Sequence, residues 1–280
     1  MKTTAFRTST LALLALAIAS ASAPAHAETT NCTPITSLPY TITVQGVYCF
    51  TDNLATAITS GNAITIATNN VTLDMNGFKL GGLAAGLGTF ANGIYANQQQ
   101  NITIRNGIVR GFNRGISLDD TVPYTTSQGH LVEDVLADQN TFVGIAVYGL
   151  GCVLRRNQVV ATGGTTINSI AYGIYAAGPG NDVLNNRVAG TAETVNTFGI
   201  YVAVGAGTVV EGNRVSGDTS GSVAYGLYIT SSPDVLVVGN RITTADSGIE
   251  FSGSTGKYMD NLTSGVAIPF TGGTAVGTNN

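Results

Sequence analysis

Histidine, basic residues and long apolar runs are all scarce in this 280-residue sequence, and each scarcity excludes a class of protein. Of two histidines, only His130 lies beyond the first 27 residues, which excludes a multi-histidine metal site. Twelve Lys and Arg stand against 16 Asp and Glu, which argues against a general nucleic-acid binder, because such a protein needs a basic face. No segment after residue 27 is apolar for long enough to cross a bilayer as a helix.

Residues 1–27 have the pattern of a secretory signal peptide. Lys2 and Arg7 precede the apolar run LALLALAIA, and Ala25 and Ala27 place small residues where cleavage occurs. The pattern predicts cleavage after Ala27 and a secreted or periplasmic bacterial protein, with a retained N-terminal anchor as the alternative. Cleavage would leave 10 basic and 16 acidic residues, a net charge of −6.

Three cysteines remain after this cleavage. Cys32 and Cys49 lie close to the predicted mature N-terminus, and an exported chain meets an oxidising compartment, so we expect them to form a disulfide. In the chain-entropy view a loop of this size contributes about 3 kcal/mol. Cys152 lies among apolar repeat residues, and we expect a buried structural thiol rather than a nucleophile.

A repeat dominates the rest of the sequence. A Gly followed by Ile or Leu recurs at intervals of 22 to 29 residues, at Gly93, Gly115, Gly144, Gly173, Gly199, Gly226 and Gly248. An Asn followed two residues later by Val or Ile recurs at Asn157, Asn186, Asn213 and Asn240, with Asn106, Asp134 and Asn261 as degenerate members. In the regular repeats the Gly-to-Asn distance is 13 or 14 residues, whereas the Asn-to-Gly distance varies from 8 to 16. A fixed half and a variable half indicate a solenoid whose loops leave one edge.

Each repeat predicts one coil of three short strands. In GIYVAV, Ile200 and Val202 share one face and Tyr201 takes the other, which is the period of a strand. Such a coil cannot close around its own core, so about eight coils must stack at the strand spacing of about 4.8 Å. Stacking would align the recurrent Asn side chains into a hydrogen-bonded ladder.

The segments NITIRNGIVRGFNRGISL, YGIYAAGPGNDVLNNRV, FGIYVAVGAGTVVEGNRV and YGLYITSSPDVLVVGNRI resemble the right-handed parallel β-helix (pectin-lyase-like) superfamily, in particular its short secreted bacterial members. The resemblance implies an all-β, right-handed single-stranded parallel β-helix. We expect a disulfide-closed N-terminal cap over residues 28–62, repeats over 63–263 and an irregular C-terminal cap or tail over 264–280. Because this superfamily supports many activities, its fold does not name a reaction.

Two outward columns are candidate ligand-binding surfaces. Tyr175, Tyr201 and Tyr228 would stack on consecutive coils and suit the apolar faces of sugar rings, or would stack for stability alone. Arg187, Arg214 and Arg241 would grip an anionic chain such as a uronate polysaccharide, or would pair with Glu193, Glu211 and Asp218. The loops ATGGTTINSIAY, AGTAETVNTF and SGDTSGSVAY should leave the same edge of successive coils.

A polar cluster in the third repeat coil is the candidate catalytic site. The insertion DDTVPYTTSQGHLVED brings together Asp119, Asp120, His130, Glu133 and Asp134, with Asp138 beyond it. Paired carboxylates are required for glycosidic hydrolysis, and clustered carboxylates hold Ca²⁺ in lyases. The DD and GH pairs resemble those of polygalacturonases, but NTD and RIK motifs are missing, and a solvated turn is the alternative.

The sequence therefore predicts an exported β-helix that binds or processes an extracellular, acidic polysaccharide. The alternatives are a polysaccharide lyase or glycoside hydrolase at the third coil, with Asp119, Asp120, His130 and Asp134 as candidate catalytic residues, and a structural or adhesive rod. No cofactor is expected apart from Ca²⁺ for a lyase. Copper handling, which some periplasmic β-helix proteins assist, would find few ligands in one histidine and three methionines.

Overall fold

The computed structural model describes residues 31–217 and 223–280, and the predicted signal peptide lies outside this part of the chain. The described residues form a parallel β-helix in which each coil contributes one strand to each of three faces, here called A, B and C. No described helix has the length and apolar character needed to span a membrane. The described residues contain β-strands and one 3-10 turn but no α-helix, which confirms the all-β fold class.

Each face is a stack of parallel strands. Face A contains β2 (Tyr40–Ile42), β5 (Asn62–Ile66), β8 (Asn92–Asn97), β10 (Arg114–Asp119), β12 (Val143–Tyr148), β15 (Ile170–Ala177), β18 (Asn196–Ala203) and β21 (Val223–Thr230). Face B contains β1 (Thr33–Ile35), β3 (Gly46–Phe50), β6 (Val71–Asp74), β13 (Val153–Arg155), β16 (Asp182–Leu184), β19 (Val209–Glu211), β22 (Val235–Val238), β24 (Gly256–Met259) and β26 (Thr274–Ala275). Face C contains β4 (Leu54–Ala55), β7 (Lys79–Gly81), β14 (Gln158–Val160), β17 (Arg187–Ala189) and β20 (Arg214–Ser216).

Four longer strands bend across a corner and serve two faces. They are β9 (Ile102–Arg110) and β11 (Leu131–Asp138), which run from face B to face C, and β23 (Arg241–Ser252) and β25 (Leu262–Thr271), which run from face C to face A. A 3-10 turn, Leu83–Ala85, lies in the loop between β7 and β8. Counting from β2, these strands make nine complete coils.

Both ends of the described chain contain regular stacked strands, where the sequence predicts caps. Residues 28–62 were expected to form a cap, but β1 pairs with β3 and β3 pairs with β6, so stacking starts before residue 63. Residues 264–280 were expected to be irregular, yet β25 and β26 pair in register with β23 and β24. This is why nine complete coils form where about eight were predicted. The Cys32–Cys49 disulfide is confirmed, with Cα atoms 5.7 Å apart.

The repeat glycines are explained by packing inside the coil. A Cβ on Gly199 would lie 2.3 Å from Val215 Cγ1, and one on Gly173 would lie 2.4 Å from Val188 Cγ1. Each of these valines belongs to the face C strand of the same coil. The Gly on face A therefore leaves space for the valine of face C, because any side chain at the Gly position would overlap that valine.

The predicted asparagine ladder is confirmed, and it is longer than expected. Side-chain amides bond from coil to coil at 3.0–3.1 Å through Asn157, Asn186, Asn213, Asn240, Asn261 and Asn279. The backbone N–H of Asn186 also donates to Asn213 Oδ1 at 2.8 Å, so each rung satisfies buried backbone and side-chain groups together. Asn106 and Asp134 were wrongly included. Both have positive φ and precede the ladder position, where Gly107 and Val135 stand.

Candidate functional site

The arginine column lies on face C. Arg187 is in register with Arg214, and Arg214 with Arg241, so three guanidinium groups project from consecutive coils about 4.8 Å apart. They line a groove of about 320 Å³ together with the small outward residues two positions further on, Ala189, Ser216 and Thr243. The register predicted for these arginines is confirmed. The small-residue column, which gives the groove its depth, was not predicted.

These three arginines have no carboxylate within 4.0 Å in residues 31–217 and 223–280. Of the expected partners, Glu193 instead accepts hydrogen bonds from the backbone N–H groups of Thr165 and Thr194. Glu211 is exposed at the end of face B, and Asp218 lies outside the described residues. Within the described residues, therefore, neither Glu193 nor Glu211 forms an ion pair with this column.

Tyr175, Tyr201 and Tyr228 are in register on face A, as predicted. Ring centroids are 4.7 Å apart for Tyr175 and Tyr201, and 5.5 Å for Tyr201 and Tyr228. Burial raises the pKa of Tyr201 to about 12, with the neighbouring tyrosines adding to the effect. Both faces of Tyr201 are thus in contact with other rings, which favours the stacking interpretation, since a sugar needs a free ring face.

A second aromatic column beside the first escaped the sequence analysis. Tyr172, Phe198 and Tyr225 stack at 5.0–5.1 Å with planes 10–11° apart, and their edges meet the first column. The signal was available, because an aromatic residue precedes each glycine in YGIY, FGIY and YGLY. Together the two columns form a packed aromatic band on face A.

The edge loops leave the corner between faces C and A. Gly163 pairs with Ala192 in an isolated bridge, and Gly164 N–H donates to Ala192 carbonyl oxygen, so the first two loops stack on each other. The third loop includes residues 218–222, which lie outside the described part of the chain. The second loop begins directly after Ala189, which is one of the residues lining the arginine groove.

The candidate catalytic carboxylates Asp119 and Asp120 have different hydrogen-bond partners. Asp119 accepts a hydrogen bond from Ser117 Oγ at 2.6 Å and lies 3.8 Å from Arg114. Burial raises the pKa of Asp119, against the opposing effects of Ser117 and Arg114. Asp120 accepts from the backbone N–H groups of Thr121, Thr126 and Ser127 at 2.8–2.9 Å, which closes the inserted loop.

His130 is buried, at 1% exposure, and both ring nitrogens are engaged. Nδ1 accepts from the backbone N–H of Ile102 at 3.2 Å, so Nε2 carries the proton and meets Ser127 Oγ at 2.7 Å. Burial lowers the pKa of His130 to about 4. Two coils further on, Asn181 Oδ1 accepts from Cys152 N–H in the same way, so His130 occupies a capping position in the stack.

Asp134 and Glu133 form ion pairs away from the other candidates. Asp134 and Glu133 each bind Arg156 at 2.7 Å, and Glu133 also binds Arg155 at 2.8 Å. The Arg156 hydrogen bond lowers the pKa of Asp134. Asp138 lies 3.2 Å from Arg110. The predicted cluster is therefore divided. Asp120 and His130 both contact Ser127, whereas Asp119, the Glu133–Asp134 pair and Asp138 belong to three separate ion-pair groups.

The side chains that could bind a soft metal are also separated or buried. Burial raises the pKa of the Cys152 thiol to about 11, and Met75 is fully buried in the core. In residues 31–217 and 223–280 no three His, Cys, Asp or Glu side chains gather into a group that would hold a metal ion.

Solved structures with the same architecture share little sequence with this chain. Tailspike protein 2 of bacteriophage CBA120, in its enzymatically active domain, has a TM-score of 0.61 at 15% identity, covering 84% of this chain and 38% of that one. A tailspike double mutant of E. coli bacteriophage HK620 in complex with pentasaccharide has 0.51 at 13%, covering 84% and 58%. Pectate lyase Pel9A has 0.50 at 13%, covering 82% and 71%. These similarities establish the fold, and the chain spans less than two fifths of the first tailspike.

Curated proteins give no match to this sequence. A family model does match, over residues 27–268, and its description is "Periplasmic copper-binding protein (NosD)". Copper prefers imidazole, thiolate or thioether ligands, and here His130 has both ring nitrogens engaged, the neighbouring Cys152 thiol is buried with a raised pKa, and Met75 is buried in the core. The described residues therefore do not fit a copper ion. By its sequence over most of its length, and by its right-handed parallel β-helix, the chain belongs to the NosD family.

Proposed function

We propose that this protein is exported to the periplasm or beyond and binds an acidic polysaccharide in the arginine groove of face C. The observation that carries the proposal is the column itself: Arg187, Arg214 and Arg241 are exposed, in register and without a described carboxylate partner. Guanidinium groups bind carboxylates through two parallel hydrogen bonds, so the column matches a chain of carboxylates.

Two similarities support a glycan as the ligand. One structural neighbour is a tailspike in complex with a pentasaccharide, and another is a pectate lyase. Both share only the fold with this chain. The second edge loop begins directly after Ala189 of the groove lining, and loops at a fixed edge are where solenoids carry binding surfaces.

The test is retention of the purified protein on immobilised polygalacturonate, with immobilised dextran as the neutral control. We expect retention on the acidic gel alone, lost in an Arg187→Gln/Arg214→Gln variant and weakened by added salt. Lys257→Gln is the matched control, because it removes one exposed charge from face B. Equal retention of the double variant and the wild type would refute the proposal.

The aromatic band of face A is the second surface that the sequence offered for glycan binding, and the same gels test it separately from the groove. Tyr201 and Arg214 lie on different faces, so Tyr201→Ala tests the band alone. Because its ring faces are covered by neighbours, we expect Tyr201→Ala to lower thermal stability while leaving retention within about twofold.

A lyase or hydrolase is the second candidate, and Asp119 is the residue that favours it. Its carboxyl has a raised pKa, as a general acid requires. Incubation with uronate and neutral glycans, with and without Ca²⁺, should then release reducing ends or unsaturated products that Asp119→Asn abolishes. The absence of product from every glycan would remove this candidate.

A further inference from the structure

The middle of face A carries no charge and is only partly covered. The strands β12, β15, β18 and β21 contain no Asp, Glu, Lys or Arg. In the aromatic band Phe198 is buried, whereas the tyrosines are half-buried. Phe142 and Tyr148 extend this surface, with ring centroids 5.7 Å from Tyr172 and 5.0 Å from Tyr175. A contiguous, partly exposed apolar surface of this kind marks an interaction site.

Opposite charges lie at the two ends of this surface. One outward column is in register over six coils and comprises Ser117, Ala146, Tyr175, Tyr201, Tyr228 and Glu250. Arg114 Nη1 donates to Ser117 Oγ at 3.3 Å, so the guanidinium group lies at the first position of the column. Glu250 is the sixth position, and no Lys or Arg nitrogen lies within 4.0 Å of it in residues 31–217 and 223–280.

Arg114 is held in place but can bind a further carboxylate. Its guanidinium carbon lies 5.6 Å from the centre of the Phe142 ring, and its distance to Asp119 is long, at 3.8 Å. A guanidinium group has several N–H donors in a planar fork, and the contacts with Ser117 and Asp119 use only part of them. One end of the aromatic surface is therefore a donor of positive charge, and the other end is a carboxylate.

The area of this surface is sufficient for a weak protein–protein interface. Six coils rise about 29 Å, and the strands of six to eight residues span about 20 Å or more. One copy thus offers about 600 Å², and two copies packed face to face would bury about 1,200 Å² together. Specific interfaces begin at about this size.

We infer that a second copy of this chain binds face A, with the two rods antiparallel and related by a two-fold axis. The six column positions then face each other in reverse order. Tyr175 lies against the partner's Tyr201, and Arg114 lies against the partner's Glu250. The axis forms this ion pair twice. Both copies have the same pitch of about 4.8 Å, so coil meets coil along the interface.

The charges at the two ends favour a second antiparallel copy over other occupants. A parallel pair of rods would place like charges opposite each other, which is repulsive. An anionic lipid surface would be repelled by Glu250, and a sugar needs a free ring face, which the stacked tyrosines do not offer. The arginine groove lies on face C and stays open in this dimer, so the dimer does not depend on glycan binding.

The test is sedimentation velocity of the purified protein between about 1 and 200 μM. We expect a reversible dimer with a micromolar dissociation constant, weakened by added salt. Glu250→Arg should weaken the dimer tenfold or more, because it places like charges opposite each other, and Arg114→Glu should do the same. The double variant Arg114→Glu/Glu250→Arg should return to within about threefold of the wild type. Rescue must act between copies, because these residues lie about 24 Å apart in one chain.

Matched controls lie on the other faces. Lys257→Glu on face B and Arg187→Gln/Arg214→Gln on face C should leave the dimer unchanged. If Arg114→Glu does not fold, Arg114→Gln replaces it. In that background Glu250→Arg should weaken the dimer much less than it weakens the wild type, because the opposed positive charge is gone.

Three results would overturn the antiparallel dimer. The first is a monomer at every concentration. The second is a dimer that neither charge reversal weakens, because its interface would then lie on another face. The third is a dimer that both single reversals weaken and that the double variant does not restore, because Arg114 would then not face the partner's Glu250.

Discussion

Arginine occurs in two contrasting columns of this rod. On face B, Asp74, Arg105, Glu133 and Arg155 are in register on successive coils, so the charges alternate. Their contacts are short, 2.9 Å for Arg105 and Asp74 and 2.8 Å for Arg155 and Glu133. On face C the arginine column puts three positive charges in succession, with no described carboxylate beside them.

The difference between the two columns shows that the same residue type can be neutralised within the fold or left available to a ligand. Because each outward position has a neighbour on the coil above and on the coil below, the in-register residue decides whether a charge is neutralised within the fold. The alternating column needs nothing from outside. The arginine column gains most from an external anion, which makes it the better candidate for binding.

Charge reversal at the centre of the arginine column should have the largest effect. Arg214→Glu converts three like charges into an alternating set resembling that of face B. We expect affinity for polygalacturonate to fall about a hundredfold, because one bidentate contact is lost and a repulsive charge is gained.

Although Arg214→Glu should lose affinity, its folding stability should not fall, because the new carboxylate lies between Arg187 and Arg241. We expect the free energy of unfolding in urea to stay constant or rise by about 0.5 kcal/mol. Unchanged glycan affinity, measured by titration on the same preparations, would contradict the comparison.

Breaking the alternating column should instead affect folding. Glu133 is 8% exposed and binds both Arg155 and Arg156, so Glu133→Gln leaves two guanidinium groups without their shared carboxylate. Because both arginines remain partly exposed, we expect a loss of about 2 kcal/mol in the free energy of unfolding, less than for a fully buried pair. Glycan affinity should be unchanged. Asp138→Asn, which breaks a single pair with Arg110, is the matched comparison and should cost less.

Acid pH should lower the stability of the fold through the buried His130. Its pKa is about 4 in the folded chain against 6.5 for a free histidine, so the unfolded chain binds more protons between these values. Stability is therefore complete above pH 6.5 and falls as the pH drops toward 4, by about 2 kcal/mol at pH 4.5.

His130→Asn should retain the cap on Ile102, as Asn181 does for Cys152, while removing this proton linkage. The measurement is urea unfolding at pH 7.0, 5.5 and 4.5. If the wild type and the variant lost stability in parallel over this range, the assigned role of His130 would be wrong.

The smallest expected effect is that of Arg214→Lys. The ammonium group keeps the charge but cannot form the two parallel hydrogen bonds of a guanidinium group. We expect affinity for polygalacturonate to fall about threefold and stability to remain within about 0.5 kcal/mol. If Arg214→Lys lost as much affinity as Arg214→Glu, this expectation would be wrong, because the lysine keeps the positive charge.

Much of the fold followed from spacing in the sequence. The interval between Asn186, Asn213 and Asn240 predicted the ladder, and the same interval predicted the register of the arginines. Asn106 and Asp134 were misassigned because the motif does not account for the continuous strands β9 and β11. In these two strands the ladder position falls one residue later than the motif predicts. Ion pairing was one of the two interpretations of the arginines that the sequence left open, and Glu193, one of the expected partners, is used by the loop backbone instead.

The sequence by itself determined the period of the repeat, the inward and outward alternation, the disulfide and the residues that share a column. These properties depend on spacing along the chain, because equal spacing places equivalent residues in register on successive coils. Only the tertiary structure decided which charge lies beside which, why His130 is a cap and why the tyrosine faces are covered. Those contacts join residues 20 to 30 positions apart, across loops of unequal length, so they are fixed by register and burial rather than by any local pattern.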